Sequence, residues 1–97
     1  MIEFKEGKYY SLDYKKAMKS FDVKRWPNFI HELVLFKKGP RKCISVEPTL
    51  LNIEGEYYFY YYLIFEDGWN PAPWRYTQSL ISCFKEYGRV VQEEMDV

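Results

Sequence analysis

One histidine, two cysteines and five glycines are all that 97 residues offer to the commonest catalytic and metal-binding chemistries. Any Ser-His-Asp or Cys-His arrangement must pass through His31, and a packed or surface imidazole is the plain reading of that residue. His31, Cys43 and Cys83 are three soft ligands at wide spacings, with no CxxC or HxxxH pair, so no zinc site is expected. There is no glycine-rich phosphate loop and no Walker pattern. Carboxylate pairs occur at Glu66-Asp67 and Glu93-Glu94, but adjacency alone does not set two acids across a substrate. The expectation is a protein that is not an enzyme and carries no cofactor.

Long hydrophobic runs are missing too. The longest, Tyr57 to Phe65, is mostly tyrosine, whereas a helix needs roughly 20 apolar residues to cross a bilayer. The start, Met1-Ile2-Glu3-Phe4-Lys5-Glu6, has acids where a signal peptide needs a basic stretch. A soluble cytoplasmic protein is expected, with Cys43 and Cys83 as buried thiols more readily than as a disulfide. The length suits one domain, 1–97.

Net charge is also absent, with fourteen Lys+Arg against fourteen Asp+Glu. The zero hides a polarity. Residues 1–42 hold eleven basic and five acidic side chains, a net of +6, and residues 43–97 hold three and nine, a net of −6. Either solvated faces happen to differ in composition, or each half presents a field to a partner of opposite sign.

What the chain does have is aromatics: ten Tyr, seven Phe and three Trp, 21% of all residues. Many sit in Glu56 to Phe65, which reads as a strand entered through a tight turn at Glu54-Gly55. Alternation puts Tyr57, Phe59, Tyr61, Leu63 and Phe65 on the face that meets the helices, and Tyr58, Tyr60, Tyr62 and Ile64 on the other. The tyrosine face is either covered, with its phenols reaching polar groups at the margin, or a contact surface.

The remaining pattern predicts an α+β fold: a small antiparallel sheet of three to four strands against two to three helices, with a long C-terminal helix. A helix is expected over Leu12–Ser20 behind a Ser11 cap, then a connection over 22–26. A second helix over 27–38 carries Phe29, Ile30, Leu33 and Val34 and stops at Gly39-Pro40, with a strand over 32–36 as the rival. A short strand at 43–46 should end at Pro48, and Leu51 and Ile53 share a face before the turn. Trp74 to Glu94 reads as the final helix, weakened by Gly88.

Acids flank the tyrosine strand at Glu54, Glu56, Glu66 and Asp67, and Trp69 and Trp74 bracket a constrained Asn70-Pro71-Ala72-Pro73 loop. Carboxylates there repel a phosphate backbone, which weighs against a platform for single-stranded nucleic acid or a regulatory domain of that kind. Acids beside aromatics fit a basic protein surface instead, with the tryptophans as anchors or as packing over the sheet end. A homodimer through the tyrosine face is a further possibility. The partner-binding candidates are Glu54, Glu56, Tyr58, Tyr60, Tyr62, Glu66, Asp67, Trp69 and Trp74.

In overall character the chain resembles the small immunity proteins that bacteria keep in the cytoplasm against toxins, of the colicin and contact-dependent inhibition kinds. The features that match are one compact domain, the tyrosine strand Tyr57 to Phe65, the acids at its ends, and the tryptophans. The resemblance implies tight, non-catalytic binding to a cognate toxin domain, often a nuclease, by blocking its active site or a neighbouring surface. The basic first half departs from that picture, because a contact through it would select an acidic target.

Overall fold

The computed structural model describes residues 2–68 and 74–87. In chain order the elements are β1 (Tyr9–Leu12), α1 (Tyr14–Ala17), α2 (Phe21–Arg25), α3 (Phe29–Leu33) running into a 3-10 segment (Val34–Lys38), β2 (Arg41–Ile53), β3 (Glu56–Phe65), β4 (Trp74–Tyr76), α4 (Gln78–Ile81) and β5 (Phe84–Glu86). The five strands form one sheet in the order β4-β3-β2-β1-β5, every neighbouring pair antiparallel.

The expected long C-terminal helix is not there. Trp74–Tyr76 is a strand, Gln78–Ile81 a single helical turn and Phe84–Glu86 another strand, while residues 88–94 of the expected helix lie outside the described residues. Strand accounts for 41% and helix for 28% of the structure, so the fold is β-rich, with five strands and only short helices. The apolar spacing of Leu80, Ile81 and Phe84 fits a helix, but the sheet has a stronger claim on both flanks. Tyr76 pairs with Tyr61, and Phe84 with Leu12. Tertiary pairing overrides a weak local preference here.

The first helix shifts for a similar reason. Ser11 belongs to β1, Asp13 caps α1 by accepting the Lys16 N–H at 3.1 Å, and Ser20 caps α2, which occupies most of the expected connection. The 27–38 segment is helical, as the apolar stripe predicts, and ends at Gly39, whose φ of 132° favours glycine. β2 does not stop at Pro48 but runs through it to Ile53. Beyond Lys42 its outer edge pairs with no strand among the described residues, so a proline without an N–H is tolerated.

The sheet has a covered face and an open one. Tyr10, Cys43, Tyr61, Leu63, Phe65, Tyr76 and Phe84 are buried against Ala17, Val23, Phe29, Leu33 and Phe36 of the helical layer and against Leu80 and Ile81. Rings dominate this core: Phe65 stacks on Phe84 at 5.8 Å, Phe36 meets Phe65 edge-on at 4.9 Å, and Phe29 meets Tyr76 at 5.0 Å. Half-buried and exposed side chains hold the open face, among them Tyr9, Lys42, Tyr62, Ile64, Arg75 and Lys85. Part of the aromatic excess is therefore simply core.

Three charged side chains are buried among the described residues, Asp22, Glu32 and Arg41. The Asp22 carboxylate, fully buried, accepts the Thr77 N–H at 2.8 Å and the Thr77 hydroxyl, joining α2 to the start of α4. Arg41 lies 5.7 Å over the Phe36 ring. No helix among the described residues is long and apolar enough to cross a membrane.

Candidate protein-binding site

The β2–β3 hairpin is the element that leaves the body of the protein. Its turn is Glu54-Gly55, with φ of 51° and 86°, and the Asn52 Oδ1 accepts the Gly55 N–H at 3.1 Å. Two positive φ values in a two-residue loop match the twist of the strands, which is why the pairing continues without slippage from Ile53↔Glu56 to Ser45↔Ile64. A bulge at Ile44 then resets the register at Cys43↔Phe65.

Burial falls steadily along the core-side residues of β3. Phe65, Leu63 and Tyr61 are buried, Phe59 is half-buried, and Tyr57 is 67% exposed. Leu50, which pairs with Phe59, is 62% exposed. Past Phe59 the helical layer has ended and the hairpin continues as an arm. Beneath it, Leu50, Tyr57 and Phe59 face Phe21 and the first turn of α4 across a mainly apolar cavity of about 460 Å³. Phe21 is itself 55% exposed. Five of the nine exposed large apolar side chains among the described residues (Phe21, Leu50, Ile53, Tyr57 and Tyr58) gather on or beside this arm, a concentration that single scattered surface apolars do not produce.

The other side of the arm carries the tyrosine ladder. Tyr58 is exposed, and Tyr60, Tyr62 and Ile64 are half-buried. Opposite them on β2 stand Leu51, Thr49, Glu47 and Ser45. The Tyr58 hydroxyl donates to Glu56 Oε2 at 2.9 Å, and that bond to a carboxylate raises the phenol's pKa. No second layer of described residues covers the tyrosines.

The candidate residues separate into two groups. Glu54, Glu56 and Tyr58 lie on the arm, and Tyr60 and Tyr62 follow on the same face where the hairpin joins the body, Tyr62 pairing with Glu47 on one side and Arg75 on the other. Glu66 and Asp67 lie at the far end of β3, about 30 Å from Glu56 at roughly 3.3 Å per residue. The acids that flank the strand in sequence therefore form two patches. Trp74 is half-buried, its ring 4.7 Å from Phe29, so it packs at the sheet edge, and Trp69 lies outside the described residues. Leu50, Ile53 and Phe21 were not singled out by sequence. For Leu50 the signal was available, since a turn at Glu54-Gly55 fixes its position opposite Phe59.

Charge follows the architecture. Lys15, Lys16, Lys19, Lys24, Arg25, Lys37 and Lys38 are all exposed in the helical layer. From residue 43 to residue 74 there is no Lys or Arg, and Glu47, Glu54, Glu56, Glu66 and Asp67 are the only charges. Among the described residues, the arm is acidic and the helical layer basic.

The two cysteines are not poised for nucleophilic work. Cys43 and Cys83 are free, buried thiols, and burial pushes Cys43 up to about 11. A thiol protonated that firmly is a poor nucleophile. Tyr76 is held protonated far above the usual phenol range by burial first and by nearby Glu32 second. The described residues contain no group of three His, Cys, Asp or Glu side chains able to hold a metal ion. No protein-family model, no curated protein and no solved structure matches the chain.

Proposed function

We propose that the protein is a non-catalytic binding module whose hairpin arm docks on the basic surface of a protein partner, most simply as an immunity protein that neutralises a bacterial toxin domain. One observation carries the reading: exposed Leu50, Ile53, Tyr57, Tyr58 and Phe21 cluster on and beside an arm whose charged groups are all carboxylates. Aromatic and aliphatic side chains at the centre of such a patch supply buried area, and the acids at its rim select and steer a cationic partner. An interface of about 800 Å² per partner is the usual size for such a complex. Where the partner is a nuclease, carboxylates Glu47, Glu54 and Glu56 would occupy the place of substrate phosphates and exclude them.

The aromatic face is less suited to a nucleic-acid strand. Glu47 stands directly across from Tyr62, and Glu56 is bonded to Tyr58, so two carboxylates against the single guanidinium of Arg75 over Tyr60 would border a run of stacked bases, too little positive charge for a phosphate backbone.

The test is neutralisation in the native setting. The secreted protein encoded beside this chain, or the protein that co-purifies with it, is expressed in a sensitive cell with and without this chain. Wild type is expected to restore growth, and Leu50→Asp with Tyr57→Asp to abolish that rescue while the isolated protein stays folded. Rescue that survives the arm substitutions and is lost on reversing Lys15, Lys16 and Lys19 would place the contact on the helical layer and overturn the reading.

A further inference from the structure

Arg75 is built for more than surface charge. It lies in the short edge strand β4, opposite Tyr62 on the open face. Its guanidinium carbon sits 5.0 Å from the Tyr60 ring centre and 5.2 Å from that of Trp26, so two aromatic rings hold it. Yet it forms no ion pair or hydrogen bond with any described residue. A guanidinium stacked on rings uses its faces, while its N–H donors lie in its plane and remain for a ligand.

Beside it opens a cavity of about 400 Å³, lined by Trp26, Phe29, Tyr62, Trp74 and Arg75. That volume falls in the range of small-ligand sites, and its lining is aromatic apart from one cation. We infer that this is a ligand site for a flat aromatic ring bearing an oxyanion, carboxylate or phosphate. The guanidinium of Arg75 takes two oxygens side by side, and Trp26, Trp74 and Tyr62 receive the ring. Arginine is suited to this because its planar fork matches two oxygens at once, and the flanking rings fix its orientation before the ligand arrives. The nearest acid on the same face of the sheet by register, Glu47, lies on β2, two strands from Arg75. The site does not depend on the arm's docking a protein.

The full chain is titrated with phenyl phosphate, with benzoate, with inorganic phosphate and with benzyl alcohol, and binding is read from the NMR signals of the tryptophan indole N–H groups and the arginine Nε–H groups. Saturable shifts are expected with at least one of the first two probes, and the tighter of them identifies the oxyanion. Inorganic phosphate and benzyl alcohol, each lacking half of the recognition, should bind at least tenfold more weakly. Arg75→Gln should weaken the better probe by about ten- to a hundredfold, the worth of charge-assisted hydrogen bonds, with Arg75→Lys in between. Arg75 is half-buried at an edge strand, and an unchanged amide spectrum away from β4 confirms that each variant is folded. No saturable shift with either ring-bearing anion, or equal binding by Arg75→Gln, would overturn the inference. So would inorganic phosphate binding as tightly as phenyl phosphate.

Discussion

Replacing Asp22 by alanine tests how the helical layer is fastened to the sheet. The carboxylate is fully buried and accepts two hydrogen bonds, from the Thr77 N–H at 2.8 Å and from the Thr77 hydroxyl. Thr77 is the N-cap of α4 and makes no side-chain cap bond of its own, so the Asp22 carboxylate supplies the link that orients this turn. Hydrogen bonds to a charged group contribute about 1.5–3 kcal/mol each, and a partner left unsatisfied adds to the loss. Because the two bonds share one carboxylate and one residue, the effects will not sum, and about 3–4 kcal/mol is expected for Asp22→Ala. In a domain near this size each kcal/mol moves the melting temperature by roughly 4–8 °C, so the midpoint should fall by well over about 10 °C. Thermal and urea unfolding followed by circular dichroism read the change. Thr77→Val, which keeps the shape and removes the hydroxyl, completes a double-mutant cycle whose coupling should exceed about 1 kcal/mol. A loss under about 1 kcal/mol for Asp22→Ala, additive with Thr77→Val, would refute the reasoning.

Glu54 holds a φ of 51°, which costs a side-chain-bearing residue about 1 kcal/mol, so Glu54→Gly should raise the unfolding free energy by about a few tenths of a kcal/mol or more, read as a higher urea midpoint, and a lowered midpoint would count against the turn geometry. The Tyr76 hydroxyl is buried and has no hydrogen-bond partner among the described residues, so Tyr76→Phe should stabilise the protein at neutral pH by about 1 kcal/mol, measured by urea unfolding. Burial holds the Cys43 thiol at about 11 against an ordinary 9.0, and raises Tyr10 and Tyr76 as well. Native groups with raised pKa values keep protons that the unfolded chain releases, so stability is complete below about pH 9 and falls above it. A pH series of melting temperatures should show that decline, and Tyr76→Phe should make it shallower. For association with the partner, reversing Glu54 and Glu56 should slow the on-rate and flatten its salt dependence, while reversing Glu66 and Asp67, at the other end of β3, should leave both unchanged in stopped-flow measurements.

The sequence makes β3 legible because three signals agree there: an unbroken aromatic and aliphatic run from Tyr57 to Phe65, a more apolar set at its odd-numbered positions, and a two-residue turn containing glycine before it. The same agreement explains why its covered and open faces are read correctly from Tyr61 to Phe65. The C-terminal region has no such agreement. Leu80, Ile81 and Phe84 fit a helical stripe, but Trp74, Tyr76 and Phe84 find strand partners 11 to 72 residues away, a distance that local periodicity does not sense. Pro48 misleads for a different reason, since its meaning depends on whether β2 has a neighbour on that side. The candidate site divides in the same way. Tyr58, Tyr60 and Tyr62 follow from alternation within one strand. Phe21 joins Leu50 and Tyr57 only through the packing of α2 beside α4, and the separation of Glu56 from Glu66 follows only once the strand is known to run unbroken between them.

Oxidative footprinting of the complex with the captured partner reads the proposed docking of the hairpin arm one side chain at a time. Hydroxyl-radical labelling reads side-chain exposure at Phe21, Leu50, Tyr57 and Tyr58, all open in the isolated chain. The account predicts that these four lose labelling on binding while Val34 in the helical layer and Tyr87 beyond β5 keep theirs. Protection of Val34 with Leu50, Tyr57 and Tyr58 labelled as before would contradict it.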